Sequence, residues 1–119
     1  MENVVQFHPL ALAFVGDAVM GLIIKERIVA DVKVNELHKT ASRLISAKSQ
    51  AILYDGLALT EREKEIANRA FNAKHHTVPK NCTLLEYRKA TALEAVIGYN
   101  WLLKNYQRVE ELLNDCGRT

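Results

Sequence analysis

The stretch that decides the fold is LALAFVGDAVMGLII, residues 10–24, which carries a single charged residue, Asp17. The apolar residues around it follow helical rather than alternating periodicity. Pro9, which stands just before the stretch, suits the first turn of a helix because its missing N–H would be unbonded there anyway. The pattern predicts a long, largely buried helix from about Pro9 to Val29.

Helical periodicity continues outward from this stretch to the end of the chain. The sequence contains only two prolines and five glycines, so the punctuation typical of strands is almost absent. We predict at least five helices, at about residues 9–29, 35–54, 60–70, 83–104 and 107–116, with a loop over 71–81.

Local signals mark several of these boundaries. Thr60 with Glu63, and Thr83 with Glu86, have the spacing of a capping box, and Asp55-Gly56 interrupts the second helical pattern. We therefore expect an all-α fold, a single compact helical bundle, with one domain over residues 1–119.

Composition narrows the class of protein. The 119 residues are 49% hydrophobic with a net charge of +2, which is typical of one globular domain and too little charge to indicate nucleic acid by itself. No apolar stretch is long enough for a transmembrane helix, and the N-terminus does not resemble a signal peptide. Cys82 and Cys116 are far apart, which favours free thiols over a disulfide framework or a zinc site. We expect a cytoplasmic protein.

Two acids stand where acids are not expected. Asp17 is surrounded at helical spacing by apolar residues and glycine, and Glu94 lies in a second apolar helical run, ATALEAVIG, residues 90–98. A carboxylate on such a face would be largely desolvated, and an isolated buried charge is costly. Each acid must therefore become neutral, form an ion pair, or bind a cation.

Two interpretations of these acids remain open. In the first, each acid forms a structural ion pair, for which Arg88 and Lys89 are the nearest basic residues to Glu94 and no local partner exists for Asp17. In the second, Asp17 and Glu94 converge and bind a hard divalent cation such as Mg²⁺, which prefers oxygen ligands together with water and substrate phosphates. The second arrangement is typical of phosphodiester hydrolysis.

Several motifs together resemble the catalytic domain of ribonuclease III. FVGDAV at 14–19 resembles the signature of that family, and KATALEAVIGYNWL at 89–102 resembles its second acidic helix. LHKTASRLISAKSQA and NAKHHTVPKN are similar to the Mini-III branch, which consists of the catalytic domain alone. The similarity covers nearly the whole chain. Larger members carry two more acids at the positions of Ala13 and Thr91, so a full two-metal carboxylate cage is not expected here.

The resemblance implies an activity and a set of partners. It implies an endoribonuclease that depends on Mg²⁺, with Mn²⁺ as a substitute, in which Asp17 and Glu94 hold the metal and carry catalysis. It implies double-stranded RNA as the substrate, in particular the precursor of large-subunit (23S) ribosomal RNA, cut with staggered ends, and a ribosomal protein as a helper. The alternative is a non-catalytic module of the same fold that binds structured RNA or a ribosomal partner, which Ala13 and Thr91 favour.

A basic segment predicts one RNA-binding surface. Residues 69–90 contain five Lys and Arg residues against one acid, and such clusters supply most of the affinity for a nucleic-acid backbone. The Mini-III branch usually has an Arg-Gly-Arg-Asn run here, which in this chain is replaced by Arg69-Ala70-Phe71-Asn72. The residues that we expect to contact RNA from this segment are Arg69, Asn72, Lys74, His75 and Lys80.

The second predicted helix offers another RNA surface. His38, Ser42, Ser46 and Ser49 follow helical spacing on one side, with Lys39 and Lys48 alongside. Small hydroxyl groups allow close approach to the phosphates and 2′-hydroxyls through which A-form RNA is recognised. An ordinary solvent-facing side of a helix would look the same, so this assignment stays open.

The resemblance also implies a homodimer with one site in each protomer. The first and fourth predicted helices are apolar on more than one face, which a small monomeric bundle has difficulty burying. The candidates for the dimer interface are Phe14, Met20, Val96 and Trp101. Any one of them could instead fill the core of the monomer.

Overall fold

A computed structural model of the protein describes residues 3–74 and 77–114. Over those residues the chain forms six α-helices and two 3-10 turns, Val4–Gln6 and Val34–Glu36, and no strand. The predicted all-α class is confirmed. The helices are α1 (Pro9–Ile28), α2 (Leu37–Leu44), α3 (Ala47–Asp55), α4 (Glu61–Phe71), α5 (Leu84–Leu102) and α6 (Tyr106–Leu112).

The predicted helix starts are confirmed where a local cap defines them. The Thr60 hydroxyl accepts from the Glu63 backbone N–H at 3.1 Å, and the Glu63 carboxylate accepts from the Thr60 N–H at 3.0 Å. Thr83 and Glu86 form the same reciprocal pair at the start of α5. Two otherwise unbonded backbone N–H groups are satisfied in each case, which explains why these sequence signals were reliable.

The second predicted helix, over residues 35–54, is wrong because the chain forms two helices there. Ser46 has an extended backbone, with φ −61° and ψ 154°, and its hydroxyl accepts from the Ser49 N–H. α2 ends at Leu44 and Ser46 caps α3, since a serine side chain can replace a helical backbone bond with a local one. His38 and Ser42 therefore do not share one continuous helical face with Ser46 and Ser49.

The last predicted helix, over 107–116, is α6, which spans Tyr106–Leu112. Lys104, with a positive φ of 64°, separates it from α5. Cys116 lies outside the described residues, and Cys82 is a half-buried free cysteine.

Helix α5 forms the centre of the bundle and packs against α1, α3 and α4. Its contact with α1 is antiparallel, because Gly16 lies on the backbone of Glu94 while Gly98 lies on the backbone of Leu12. A Cβ atom at either glycine would collide with a carbonyl oxygen of the other helix. The two glycines thus allow the two backbones to touch near the middle of both helices.

Among the described residues, no helix has the length and apolar character needed to cross a membrane.

Candidate active site

The crossing of α1 and α5 brings Asp17 and Glu94 together. Asp17 follows Gly16 on α1, and Glu94 lies on the part of α5 that Gly16 touches. The two side chains are close enough to interact electrostatically. They line an open pocket of about 460 Å³, whose walls are Leu10, Ala13, Phe14, Asp17, Lys74, Thr77, Tyr87, Thr91 and Glu94.

The environments of the two acids differ from the sequence-based expectation. Glu94 is half-buried, but Asp17 is exposed, so the predicted desolvation of Asp17 is wrong. The reason is that Phe14, one turn before Asp17, has 80% of its surface exposed and leaves this side of α1 uncovered in the chain. Asp17 therefore stands at the rim of the pocket.

Glu94 responds strongly to its surroundings. Burial is the largest cause of a raised pKa at Glu94, followed by hydrogen bonding with Asp17 and by repulsion from the Asp17 charge. Together these effects raise the pKa of Glu94 to about 8. A hydrogen bond from Gln50 lowers the pKa by a smaller amount. Such a shift is typical of two acids that share a site without a compensating cation.

The structural ion-pair interpretation finds no support among the described residues. Lys89 pairs with Asp55 at 2.8 Å, and the guanidinium of Arg88 lies over the Phe71 ring, 5.9 Å from its centroid. No Lys or Arg in the described ranges forms an ion pair with Asp17 or Glu94. Within residues 3–74 and 77–114, the two acids line one pocket and neither forms an ion pair with Lys or Arg.

Glu63 shows how a structural acid differs. It is 3% exposed and accepts hydrogen bonds from Arg108, Asn100 and the Thr60 N–H. Burial alone would raise the pKa of Glu63, but these bonds and the Arg108 charge lower it to about 2. The sequence predicted Glu63 only as a helix cap, because its partner Arg108 lies 45 positions away.

The donor set at Asp17 and Glu94 fits a divalent cation held by few protein ligands. Both side chains offer carboxylate oxygens, and a cation between them would relieve the repulsion that raises the pKa of Glu94. Ala13 and Thr91 line the same pocket where further acids would be needed for a larger cage. Accordingly, residues 3–74 and 77–114 contain no cluster of three or more His, Cys, Asp or Glu able to hold a metal.

One polar residue at this site was missed by sequence reasoning. Gln50 on α3 is 3% exposed, and its Nε2 donates to Glu94 Oε2 at 3.5 Å and to the Ile45 carbonyl at 2.9 Å. Its only sequence signal is an amide among small and apolar residues in a helix. The contact depends on how α3 packs against α5, which no local pattern specifies.

Among the predicted RNA-binding residues of the basic segment that the structure describes, Lys74 is the one that lines the pocket. Lys80 is exposed, and His75 lies outside the described residues. Arg69 is exposed and donates to the Phe7 carbonyl at 3.2 Å, while the Asn72 amide donates to the Asn68 carbonyl at 2.9 Å.

The residues of the second predicted surface do not form one continuous face. His38, Lys39 and Lys48 are exposed. Ser46 is half-buried, and its hydroxyl is used to cap α3. His38 also lines a small apolar groove against α1, away from the pocket of the two acids.

The structure separates the four predicted interface residues. Phe14 is 80% exposed. Trp101 is half-buried, and the centroid of its ring lies 4.7 Å from the centroid of the Tyr106 ring. Met20 and Val96 have no exposed surface and belong to the core of the chain. Their assignment to an interface is corrected, because the α1–α5 contact already buries them.

Comparison with known proteins agrees with this fold. The family model described as "Ribonuclease III domain" matches residues 10–105. A Mini-ribonuclease 3 from Enterococcus faecalis is 41% identical, covering 98% of this chain and 92% of the relative. One from Staphylococcus aureus is 42% identical, with coverages of 90% and 84%. A crystal structure of a Fusobacterium nucleatum protein is similar with a TM-score of 0.86 and 33% identity, over 96% of each chain.

The matched region includes both acidic helices and the glycines at their crossing, so the chain belongs to the ribonuclease III family. Within that family it is a nuclease of the Mini-III type.

Proposed function

We propose that this protein is an endoribonuclease that cleaves double-stranded RNA at the pocket formed by α1 and α5, with Asp17 and Glu94 as its catalytic carboxylates. The observation that carries the proposal is that the two acids line one pocket and interact with each other, while no Lys or Arg among the described residues forms an ion pair with either. A pair of acids that only stabilised the fold would resemble Glu63 and Arg108 instead.

We further propose that Asp17 and Glu94 hold Mg²⁺, for which Mn²⁺ substitutes. The all-oxygen donor set supports a hard cation of this kind. When bound, the cation supplies charge stabilisation at the scissile phosphate and lowers the pKa of attacking water. The half-buried Glu94 lies deep in the pocket and the exposed Asp17 at its rim, so both carboxylates face the space that a phosphate would enter.

The RNA surface is proposed to extend from this pocket along the basic segment. Lys74 supports this assignment because it lines the same pocket as the two acids. Arg69, Asn72, His75 and Lys80 belong to the same proposed surface. His38, Lys39, Ser46 and Lys48 are proposed as a second contact area, for which their exposure, except at Ser46, is the only structural support.

A homodimer is proposed for the active form. Phe14 is a large apolar side chain that stands 80% exposed at the edge of the pocket, which supports an interface there. A two-fold dimer would place two sites on a duplex whose strands are themselves related by a two-fold axis. Trp101 remains a candidate for the interface as a half-buried residue.

The biological substrate is proposed to be the precursor of 23S ribosomal RNA, processed in the cytoplasm with a ribosomal protein as helper. The similarity of the chain to Mini-III nucleases over nearly its full length supports this assignment.

The test is cleavage of an end-labelled RNA duplex by the purified protein with Mg²⁺ or Mn²⁺. Asp17→Asn and Glu94→Gln should each lose more than the roughly 10–100-fold that removal of an outer-shell partner of a metal costs. Glu26→Gln is the matched control, because Glu26 is an exposed acid on the same helix as Asp17. A wild-type protein that binds the duplex but leaves it uncut with both cations would support the non-catalytic alternative.

A further inference from the structure

Gln50 is a buried amide in direct contact with the site, and the function described so far does not use it. It is 3% exposed on α3, a helix from which no described residue lines the pocket of the two acids. Its Nε2 donates to Glu94 Oε2 and to the Ile45 carbonyl. The amide therefore connects the end of α2 to the side chain of Glu94.

The orientation of this amide is fixed by the backbone. Nε2 lies 2.9 Å from the Ile45 carbonyl oxygen, so a flip of the amide would bring its own oxygen against another acceptor. Nε2 must consequently face both Ile45 and Glu94. The bond to Glu94 is long, at 3.5 Å, and hydrogen bonds in free enzymes often shorten in the working complex.

The other end of the amide is unsatisfied. Gln50 Oε1 is buried and has no hydrogen-bond partner among the described residues. A buried acceptor without a partner is unfavourable, and an apolar side chain of the same length would avoid it. The amide is thus poorly explained by packing alone, and its uses are the two hydrogen bonds that Nε2 donates, to the Ile45 carbonyl and to Glu94.

We propose that Gln50 is a positioning residue that orients the carboxylate of Glu94 for binding the divalent cation. This inference rests on the proposed role of Glu94. Gln50 is buried and does not line the pocket, so it would act through Glu94, as hydrogen-bonded neighbours of metal ligands generally do.

The main test is Gln50→Met, which keeps the length of the side chain and removes both the donor and the unsatisfied oxygen. We expect kcat to fall roughly 10-fold or more, and the cation concentration for half-maximal rate to rise. The Kd for duplex RNA should be unchanged, and the melting temperature should fall only slightly, because the Ile45 carbonyl loses one donor. Gln107→Met, at an exposed glutamine on α6, is the control and should change none of these.

A second variant and a second measurement keep the test decisive. Gln50→Leu also removes the donor without adding a charge, and is used if Gln50→Met does not fold. When Mg²⁺ is added to the metal-free wild-type protein, the side-chain amide NMR signals of Gln50 should shift, and paramagnetic Mn²⁺ should broaden them. In the variant, the Glu94 signals should respond to Mg²⁺ with a higher midpoint.

The outcomes separate this inference from the proposed function. If the wild-type protein cuts no RNA, the proposed function fails while the titration still decides the role of Gln50. Unchanged kcat and cation affinity in a folded Gln50 variant, or no response of the Gln50 amide to either cation, would overturn the positioning role.

Discussion

Gly16 lies directly on the backbone of Glu94, with no room for a side chain between them. The glycine of the FVGDAV motif therefore has a packing role that explains its place before the acid. Because α1 can touch α5 at this point, the residue after the glycine reaches the same pocket as Glu94. The spacing of the motif and the geometry of the acid pair have one common cause.

The first prediction concerns this contact. Gly16→Ala should lower the free energy of unfolding by about 1–3 kcal/mol, because the new Cβ meets a backbone carbonyl that cannot move aside without shifting the helix. Gly21→Ala is the control on the same helix, where a Cβ meets nothing within 4 Å. That change should stabilise by up to about 1 kcal/mol, since alanine favours helices over glycine. Urea denaturation measures both, and equal effects would contradict the contact.

The second prediction concerns the titration of Glu94 in the metal-free protein. Its pKa should be about 8, and Asp17→Asn should lower it towards the ordinary 4.5 without reaching it, because burial remains. NMR of the Glu94 carboxyl carbon measures both values. A pKa near 4.5 in the wild-type protein would contradict the acid pair.

The raised pKa of Glu94 also makes the stability of the fold depend on pH. The folded state holds the Glu94 proton more tightly than the unfolded state, so its contribution to stability is complete below pH 4.5. That contribution is lost as the pH rises towards 8. In Asp17→Asn, the loss should end at a lower pH.

The third prediction concerns Glu63 and Arg108. Glu63→Gln should destabilise the fold by about 3 kcal/mol, because Arg108 loses the carboxylate that accepts two of its N–H groups. Glu65→Gln, at an exposed pair on the same helix, should change stability by less than about 1 kcal/mol.

Acid should reproduce the effect of Glu63→Gln. The pKa of Glu63 is lowered to about 2, so its contribution is complete above pH 4.5 and is lost as the pH falls towards 2. Thermal unfolding between pH 2 and 5 measures this contribution. A melting temperature that depends on pH equally steeply in the wild-type protein and in Glu63→Gln would contradict the prediction.

The fourth prediction concerns the basic segment. Replacing Lys74 and Lys80 with alanine should weaken RNA binding and reduce its salt dependence by roughly one unit of slope for each lost phosphate contact. Stability should barely change, because both residues are exposed. Lys64→Ala on α4 is the control lysine. Unchanged affinity over several salt concentrations would show that RNA binds elsewhere.

The fifth prediction concerns assembly. Sedimentation at micromolar concentration should give about twice the chain mass of 13.4 kDa. Phe14→Asp should shift the protein to monomer with its fold intact, since Phe14 is already 80% exposed within the chain. Leu22→Asp, which changes an exposed leucine further along α1, is the variant whose sedimentation mass is compared with that of Phe14→Asp. A wild-type monomer that cuts both strands would overturn the dimer.

Local signals in the sequence predicted well what local contacts decide. The starts of α4 and α5 are closed by reciprocal bonds within four residues, so Thr60 and Thr83 could be identified without knowledge of the fold. The break at Ser46 was missed although its cap is equally local, because the apolar pattern continues across it and hides the change of helix.

Long-range packing decided the rest. The isolated acids marked Asp17 and Glu94 as unusual, but the sequence could not show that Phe14 points away from the chain and leaves Asp17 exposed. Gln50 and Glu94 are 44 positions apart in the sequence, and their contact depends on how α3 packs against α5. The apolar patterns predict Met20 and Val96 at an interface, whereas the α1–α5 contact buries both in the core.

The close contact of α1 and α5 at Gly16 and Gly98 also determines at which stage of unfolding the acid pair is lost. Gly16 and Glu94 lie well inside their helices, away from the ends that fray first, and on the two helices that hold the core together. Amides around the acid pair should therefore exchange with solvent only through global opening. Heat or protease would then remove activity only together with the whole fold, so that inactivation and complete unfolding share one midpoint.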